Sequence, residues 1–459
     1  MSAIRNEIKP MLALALPLVL AELGWMFMAV VDTIMVGHLP NPAITISAAA
    51  LAQVIYNTLA FGIGGVLLGL DTYIAQSHGA GKLDDANRWL LHGLVLGALL
   101  TALLMAIVAA GPLALRHLPI QPVILTQAIG FLQALNTGTP ALLLYLTLRR
   151  YLQAFNHVRL IAVALISANL INALGDWLLL FPHHLGPVHF GGYGVTGAAY
   201  STSIARLYLA ASLVAAIWHV NRKHHYGLHS VFANLPRHLE LWRLKRLFLL
   251  GAPVGGQIFV EISIFAAVTA LIGTLGPLPL AGHEIALNCA STTFMVPFAI
   301  SAAAAVRVGQ AIGRRSPEQA AAAGWTAIAL GAGFMLTASA ALVTLPHAIA
   351  RAFTADPAVI AAAVPLLLVA AGFQFFDGLQ ITASGALRGV GNTHAGLIVQ
   401  LIGYWVVGLP VGLLLGYHFK LGAVGLWLGL CTGLVIAGVA LILTWRRAAR
   451  SIAIHPVTP

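Results

Sequence analysis

Residues 11–36 read MLALALPLVLAELGWMFMAVVDTIMV, an apolar run whose only charged side chains are those of Glu22 and Asp32. A helix needs roughly 20 such residues to cross the hydrocarbon core of a bilayer. Eleven further runs of this kind follow, so the sequence predicts an all-α polytopic membrane protein with twelve transmembrane helices and no need for β-strands. The predicted spans are 11–36, 46–70, 89–111, 121–147, 160–181, 194–220, 247–273, 282–306, 320–346, 357–386, 395–417 and 422–445.

The overall composition indicates the same class of protein. The 459 residues are 59% hydrophobic and only 8% charged, whereas a soluble domain carries about 25% charged residues to solvate its surface. We therefore exclude a soluble enzyme, a disordered chain and a nucleic-acid-binding protein. The two cysteines, Cys289 and Cys431, both lie in apolar stretches, so we expect no disulfide framework.

The distribution of Lys and Arg predicts the orientation in the membrane. With the N-terminus in the cytoplasm, the loops on that side collect twenty of these residues and the loops on the other side collect three. The positive-inside rule then places both termini and the basic loop 221–246 in the cytoplasm. The net charge of +11 is therefore a signature of topology, and we expect a multi-pass protein of the bacterial inner (plasma) membrane.

The second half of the chain repeats the first. A shift of 236 residues places Pro17 on Pro253 and Asn156 on Asn392. Because each half contains six spans, both halves enter the membrane in the same sense, which predicts two lobes related by a pseudo-two-fold axis along the membrane normal. The predicted domains are an N-lobe at 1–220, a cytoplasmic linker at 221–246 that we interpret as a plain tether, and a C-lobe at 247–459.

Six acidic residues fall within the predicted spans, where a charge is costly and marks a candidate functional site. Arg206 is the one base predicted inside a span. A desolvated carboxylate can hold a proton near neutral pH or bind a cation, which is the chemistry of an ion-coupled transporter. The six acids are Glu22, Asp32, Asp176, Glu261, Glu284 and Asp377.

Helical spacing places amides beside three of these acids. Gln257 precedes Glu261 by four residues, and Gln380 follows Asp377 by three, so each pair shares a helix face. Asn172 stands in the same relation to the acid four residues after it in the fifth span.

Three of the acids also have a structural alternative. Asp176 could cap structure near the end of its span, Glu22 could be a neutral packing residue, and Glu284 could lie in the hydrated interface. The chain has no P-loop motif GxxxxGK[ST], so ATP-driven transport by this chain alone is excluded. It also lacks a nucleophile–base or metal motif, so we expect no enzyme activity.

Several stretches resemble the multidrug and toxic compound extrusion (MATE) family, and the resemblance covers nearly the whole chain. The last two of these stretches are specific to the family. They are LPLVLAELGWMFMAVVDTIMVGHL at 16–39, QSHGAG at 76–81, QAIGRR at 310–315, HEIALN at 283–288, MVPFAISAAAAVRVGQAIG at 295–313 and FQFFDGLQITASGALRGVGNT at 373–393.

This resemblance implies two six-helix lobes around a cleft and the export of organic cations and similar drugs in exchange for Na⁺ or H⁺. No cofactor is implied besides the coupling ion. The expected partners are small-molecule drugs, organic cations and the lipid bilayer, with no nucleic acid, and the expected state is a monomer. The alternative function is a flippase or exporter of lipid-linked saccharides from the same superfamily. That function would favour a basic cleft, whereas the intramembrane excess here is acidic.

The resemblance also implies roles for individual residues. Asp32 matches the family's acid on helix 1, and Glu261 and Asp377 match the acids on helices 7 and 10 of the NorM-like branch. Glu284 stands in HEIALN where the family pattern has Gln. The implied C-lobe set for substrate or cation is Glu261, Asp377, Gln257, Gln380 and Glu284.

A second implied set lies in the N-lobe. Asn172 and Asp176 look like the helix 5 pair that forms a cation site in the DinF-like branch, together with the helix 1 Asp and a helix 6 Thr. Thr202, in GAAYST, matches that Thr. The implied cation-coupling set, which is also the implied Na⁺ site, is Asp32, Asn172, Asp176 and Thr202.

Overall fold

The computed structural model describes residues 2–117, 120–185, 188–233 and 238–454, and nearly all of them are helical. The helices of the first half are α1 (Ser2–Gly37), α2 (Pro42–Gly64), α3 (Gly69–Gly79), α4 (Leu83–Leu115), α5 (Pro122–Thr137), α6 (Thr139–Ala154), α7 (Val158–Leu180) and α8 (Val195–His224). The helices that follow are α9 (Leu228–Ala233), α10 (Leu241–Gly273), α11 (Pro277–Gly313), α12 (Pro317–Thr344), α13 (Pro346–Phe353), α14 (Pro357–Val390), α15 (His394–Gln400), α16 (Leu409–Leu413) and α17 (Gly422–Ile454). A 3₁₀ turn, Gly65–Leu68, joins α2 to α3, and π-helical segments Leu401–Gly408 and Leu414–His418 flank α16.

The membrane-spanning helices agree with the predicted spans. Within the described ranges, eleven helical stretches are long and apolar enough to cross a membrane, and the bent pair α5 and α6 makes a twelfth. Each predicted span overlaps one of them, so the prediction of an all-α polytopic membrane protein is confirmed. Most of the observed helices are longer than the predicted spans. The spans were predicted from the apolar segments alone, whereas the polar turns at their ends are also helical.

The fourth span bends by 47° between α5 and α6. Pro140, the second residue of α6, has no N–H to donate to the preceding turn. Gly138 at the break approaches α8 so closely that a Cβ atom there would lie 2.8 Å from the Cα atom of Ser203. The bend and the glycine together allow this close approach between the two helices.

A short β-hairpin connects α7 to α8, in a loop for which the sequence predicts no strand. Strand β1 (Pro182–Leu185) pairs antiparallel with β2 (Val188–Gly191), with Pro182 opposite Gly191. Gly191 and the next glycine, Gly192, have φ angles of 78° and 77°, which favour glycine as the chain leaves the hairpin. The strands are too short to show a hydrophobic period in the sequence.

The chain forms two compact units. One unit contains Met1–Val19, Asp71–Gly81 and Leu250–Pro459, and the other contains Leu20–Leu70 and Lys82–Leu249. The start of α1 and nearly all of α3 therefore belong to the same unit as the second-half helices.

Hydrogen bonds hold α3 in that unit. The Thr72 hydroxyl donates to the backbone carbonyl of Arg388 over 2.5 Å, and the Gln76 amide donates to that of Gly389 over 3.0 Å. The carboxylate of Asp71, which is fully buried, lies 3.7 Å from the guanidinium of Arg388.

Two glycines allow α3 to cross the end of α11 at very short range. A Cβ atom on Gly79 would lie 2.2 Å from the carbonyl oxygen of Gln310, and one on Gly313 would lie 2.0 Å from that of Gln76. The segments QSHGAG and QAIGRR occupy equivalent positions in the sequence repeat. The two copies of this motif therefore pack against each other, each through its own glycine.

The linker 221–246 is bound to α4, which corrects its interpretation as a plain tether. The Arg243 guanidinium lies 2.7 Å from the Asp85 carboxylate and donates to Glu240 over 2.8 Å. It also stacks on the rings of Trp89 and Trp242, 4.8 Å from each centre. The hydrogen bond from Arg243 lowers the pKa of Glu240. The sequence shows the basic and aromatic residues but cannot show their partner on α4. Residues 234–237 of the linker lie outside the described residues.

Candidate functional site

Four predicted site residues meet inside the unit formed by Leu20–Leu70 and Lys82–Leu249. The Asn172 amide donates to a carboxylate oxygen of Asp32 and, over 3.1 Å, to Asp176. The Thr202 hydroxyl donates to the second Asp32 oxygen over 3.0 Å. All four side chains are buried. We call these residues of α1, α7 and α8 the N-terminal carboxylate cluster.

Local packing of α7 on α8 positions the cluster. Asn172 and Asp176 lie one turn apart on α7, so both face the same neighbour. The Ser201 hydroxyl of α8 donates to the backbone carbonyl of Asn172 over 2.7 Å. Gly175 leaves room for this serine, since a Cβ atom there would lie 2.6 Å from the Ser201 oxygen. This close contact brings Thr202, the next residue of α8, to the cluster.

The cluster has buried oxygen atoms to spare. Asn172 Oδ1 and Asp176 Oδ1 are buried and accept no hydrogen bond, which is costly unless another group approaches them. Asp32 also lines a pocket together with Gln53 of α2 and Phe131 of α5. Two carboxylates that share one amide, with acceptor oxygens left over, are suited to a proton or a hard cation. In the part of the chain that the structure describes, no three His, Cys, Asp or Glu residues form a metal site.

A buried base lies one helical turn from the cluster. Arg206, on α8, is 4% exposed and follows Thr202 by four residues. Its Nη1 atom donates to the Tyr56 hydroxyl over 2.9 Å, and its guanidinium carbon lies 4.8 Å from the centre of the Tyr56 ring. The Tyr56 hydroxyl in turn lies 2.8 Å from that of Thr139, at the α5–α6 break. In the sequence, Arg206 is the one base predicted inside a span, but the sequence does not indicate a role for it.

A second group of acids and amides forms in the other unit. Gln380 and Gln400 each donate to the Glu261 carboxylate over 3.3 Å, and Gln400 also donates to the Gln380 side-chain carbonyl over 2.6 Å. Asp377 is buried one turn before Gln380 on α14. We call Glu261, Asp377, Gln380 and Gln400 the C-terminal carboxylate cluster.

The sequence analysis missed Gln400, a member of this cluster, and Tyr404, which interacts electrostatically with both acids of the cluster. Both are fully buried, and the chain is π-helical from Leu401 to Gly408, a rare conformation that often occurs at functional sites. The neighbouring Trp405 donates to the backbone carbonyl of Val260 over 3.3 Å. The sequence signal for these residues is an amide and a phenol in the apolar segment QLIGYW, which has no acid beside them.

Two residues of the implied C-lobe set lie apart from this cluster. Gln257 accepts a hydrogen bond from Ser384 over 3.1 Å and packs against Gly396, where a Cβ atom would lie 2.4 Å from its oxygen. Glu284 is exposed. Of the residues described, none forms a side-chain hydrogen bond or ion pair joining Glu284 to Glu261.

Glu22 has a charged partner, contrary to its interpretation as a neutral packing residue. Arg149 of α6 donates to the Glu22 carboxylate, and both side chains are buried. We had assigned Arg149 to a loop because the fourth span was predicted to end at residue 147. Helix α6 continues to Ala154, which keeps the guanidinium inside the helical bundle.

The family assignment follows from comparison with known proteins. The profile of the MatE family matches residues 17–178 and, a second time, 253–414. The chain belongs to the MatE family. The two matches are displaced by the 236 residues found in the sequence repeat, and the expected family is confirmed. Members of this family are transporters, so the protein is a membrane transporter and not an enzyme.

Curated relatives match over nearly their whole length. The chain is 35% identical over 455 residues to a "Probable multidrug resistance protein NorM" of Mesorhizobium japonicum, covering 97% of this chain and 95% of the relative. It is 32% identical to the "Multidrug resistance protein PmpM" of Pseudomonas aeruginosa, covering 97% and 93%.

Solved structures share the fold. A eukaryotic MATE transporter, AtDTX14, matches with a TM-score of 0.84 at 22% identity, over 99% of this chain and all of that structure. The outward-facing conformation of a multidrug resistance MATE family transporter matches with a TM-score of 0.86 at 18% identity, over 97% and 96%.

Proposed function

We propose that the protein exports organic, mostly cationic and amphipathic compounds by antiport with H⁺ or Na⁺. The relatives named as multidrug resistance proteins support export of drugs. The observation that carries the antiport proposal is the N-terminal carboxylate cluster. Its two acids, Asp32 and Asp176, share the amide of Asn172, and two of its buried oxygens accept no hydrogen bond.

The coupling ion acts by removing charge from this cluster. Two close, buried carboxylates repel each other when both are ionised. A proton or Na⁺ relieves that repulsion, so the occupied and empty clusters favour different packings of the surrounding helices. The ion thereby shifts the equilibrium between inward-facing and outward-facing states. Export follows if the drug prefers the conformation that the ion disfavours, and the two need not share a site.

The C-terminal carboxylate cluster supplies negative potential for the substrate. Asp377 is buried and Glu261 is half-buried. The two acids act on each other electrostatically, and two glutamine amides donate to the Glu261 carboxylate. Apolar walls with a few fixed charges suit amphipathic cations.

We further propose the orientation given by the positive-inside rule. Both termini and the linker 221–246 lie in the cytoplasm, the lobes are 1–220 and 247–459, and the protein functions as a monomer in the bacterial inner membrane. The support for this orientation is the twenty-to-three distribution of Lys and Arg.

Ethidium efflux from proteoliposomes under separately imposed H⁺ and Na⁺ gradients tests the antiport proposal. We expect one of the two gradients to drive efflux in the wild type, and Asp32→Asn to abolish this response. Glu284→Gln is the matched control, because it also removes an acid from a span but from an exposed position, and it should respond as the wild type does. Gradient-driven efflux that persists in Asp32→Asn would refute the role of the N-terminal carboxylate cluster.

A further inference from the structure

Arg206 carries a buried positive charge that has no acid directly paired with it. Across the ranges that the structure describes, no carboxylate lies within 4.0 Å of its guanidinium, and its Nε atom is buried without a hydrogen-bond partner. An unpaired buried guanidinium is costly, and a guanidinium is not deprotonated in proteins. The position of Arg206 one turn from Thr202 places it near the N-terminal carboxylate cluster, about 5–6 Å along the same helix face.

The surroundings of the cluster contain few other charges. The charged groups that act on Asp32 are Asp176 of α7 and Arg206 of α8. The titratable group that α2 presents to Arg206 is Tyr56, a neutral phenol. The hydrogen-bond chain continues from the Tyr56 hydroxyl to Thr139 of α6 and Asn136 of α5, which are both uncharged. The net charge of the region is therefore set by two carboxylates and one guanidinium.

These three groups fix which state of the region is neutral. With both carboxylates ionised, the net charge is −1. One bound H⁺ or Na⁺ brings it to zero, and a second would bring it to +1. Because a net charge in a water-poor interior is unfavourable, the state with one cation is preferred. If the guanidinium were absent, the same argument would require two cations to reach neutrality.

We propose that Arg206 is a fixed counter-charge that limits the N-terminal carboxylate cluster to one monovalent cation per transport cycle. This inference rests on the proposed role of the cluster in coupling. In this proposal the number of coupling ions per cycle is set by the charge of a residue that binds neither the ion nor the drug.

The coupling ratio can be measured in proteoliposomes with the membrane voltage held at zero by potassium and valinomycin. The measured quantity is the ethidium gradient that a known H⁺ or Na⁺ gradient sustains. One cation per ethidium sustains an ethidium gradient of about tenfold for each tenfold ion gradient, and two cations sustain about a hundredfold. We expect the tenfold relation in the wild type and a steeper one, approaching a hundredfold, in Arg206→Gln.

Two further variants separate the charge of Arg206 from its structural contacts. Arg206→Lys keeps the charge and should restore the tenfold relation. Tyr56→Phe removes the hydrogen bond to the guanidinium but leaves the charge, so it should also keep the tenfold relation. A steeper relation in Tyr56→Phe would show that the effect of Arg206 is structural and would overturn the proposal.

The pH dependence of efflux provides a second measurement. A purely structural role of Arg206 would not shift the midpoint of this pH profile upward. Loss of the positive charge should let the carboxylates keep their proton to higher pH, so in Arg206→Gln the midpoint of the pH profile should rise by about one unit. An unchanged midpoint would count against the counter-charge. The second measurement applies if H⁺ is the driving ion; if Na⁺ is, half-saturation by Na⁺ should fall by about tenfold instead.

The outcomes distinguish this inference from the proposed function. If the wild type already transports two cations per ethidium, or Arg206→Gln keeps the tenfold relation while Asp32→Asn abolishes coupling, the inference is wrong and the coupling site stands. If Asp32→Asn leaves coupling intact, the proposed function of the cluster fails first. If Arg206→Gln does not fold, the wild-type ratio and that of Arg206→Lys still decide, because a ratio of two in either overturns the proposal.

Discussion

The crossing of α3 and α11 predicts that a single methyl group at Gly313 destabilises the protein. In Gly313→Ala the new Cβ atom would meet the carbonyl oxygen of Gln76 at 2.0 Å. That atom belongs to the backbone, so a side-chain rotation cannot relieve the clash and the two helices must move apart. Overpacking of this kind costs about 1–3 kcal/mol, which exceeds the gain of about 0.5–1 kcal/mol from replacing a helical glycine by alanine.

The measurement is the midpoint of thermal aggregation of the detergent-solubilised protein. A loss of 1 kcal/mol lowers the midpoint by roughly 2–4 °C in chains of 150–250 residues, and by less in a chain of this length, so we expect a decrease of a few degrees. Gly333→Ala is the matched control, because Gly333 lies inside α12 and a Cβ atom there would have nothing within 4 Å. It should be neutral or slightly stabilising.

A double variant sharpens the test. Gly79→Ala should be as harmful as Gly313→Ala, since its Cβ atom would lie 2.2 Å from the carbonyl oxygen of Gln310. Once one alanine has pushed the helices apart, the second should cost less than it does alone, so the two effects should not add. If Gly313→Ala has the same midpoint of thermal aggregation as the Gly333→Ala control, the reasoning from the close crossing is refuted.

Three other predictions follow from the site, the orientation and the polar turn between α6 and α7. Asp377→Asn should abolish ethidium efflux while insertion and folding are retained, and efflux at the wild-type rate would contradict the role of the C-terminal carboxylate cluster. In a variant without Cys289 and Cys431, an impermeant thiol reagent added outside cells should label a cysteine at His183 and not one at His225; the reverse pattern would invert the proposed topology. Burial lowers the pKa of His157, and His224 and Lys223 lower it further, so the folded state disfavours its protonation and stability should fall as the pH drops below about 6.5. His157→Gln should lose less stability than the wild type between pH 7 and pH 5, measured as the thermal midpoint.

The sequence predicts the membrane spans well because a helix needs roughly 20 mostly apolar residues to cross the hydrocarbon core of a bilayer. Part of the N-terminal carboxylate cluster can also be predicted from the sequence, since the four-residue spacing of Asn172 and Asp176 predicts that both lie on one helix face. No periodicity relates these two residues to Asp32 or Thr202, which lie on other helices, and their grouping came from the family resemblance.

The remaining features depend on tertiary contacts that leave no regular signal. The pairing of Glu22 with Arg149 was missed because Arg near a predicted span end was assigned to a loop. Gln400 was missed for a different reason, since no acid lies near it in the sequence and its partners, Glu261 and Gln380, lie on other helices. The binding of Arg243 to α4 required a partner far away in the sequence.

The two carboxylate clusters differ in a way that supports separate roles for them. Arg206 acts electrostatically on Asp32. One cation is therefore enough to neutralise the N-terminal carboxylate cluster together with Arg206, and the combined charge can switch between −1 and zero. Among the described residues, no base acts on Glu261 or Asp377; these acids interact with glutamine amides and with each other. Amides orient a carboxylate but do not cancel its charge, so one proton or Na⁺ leaves the C-terminal cluster negative. A site that stays negative after binding one cation can still attract a cationic drug. A site that becomes neutral when it binds an ion is instead suited to change the packing of the helices around it.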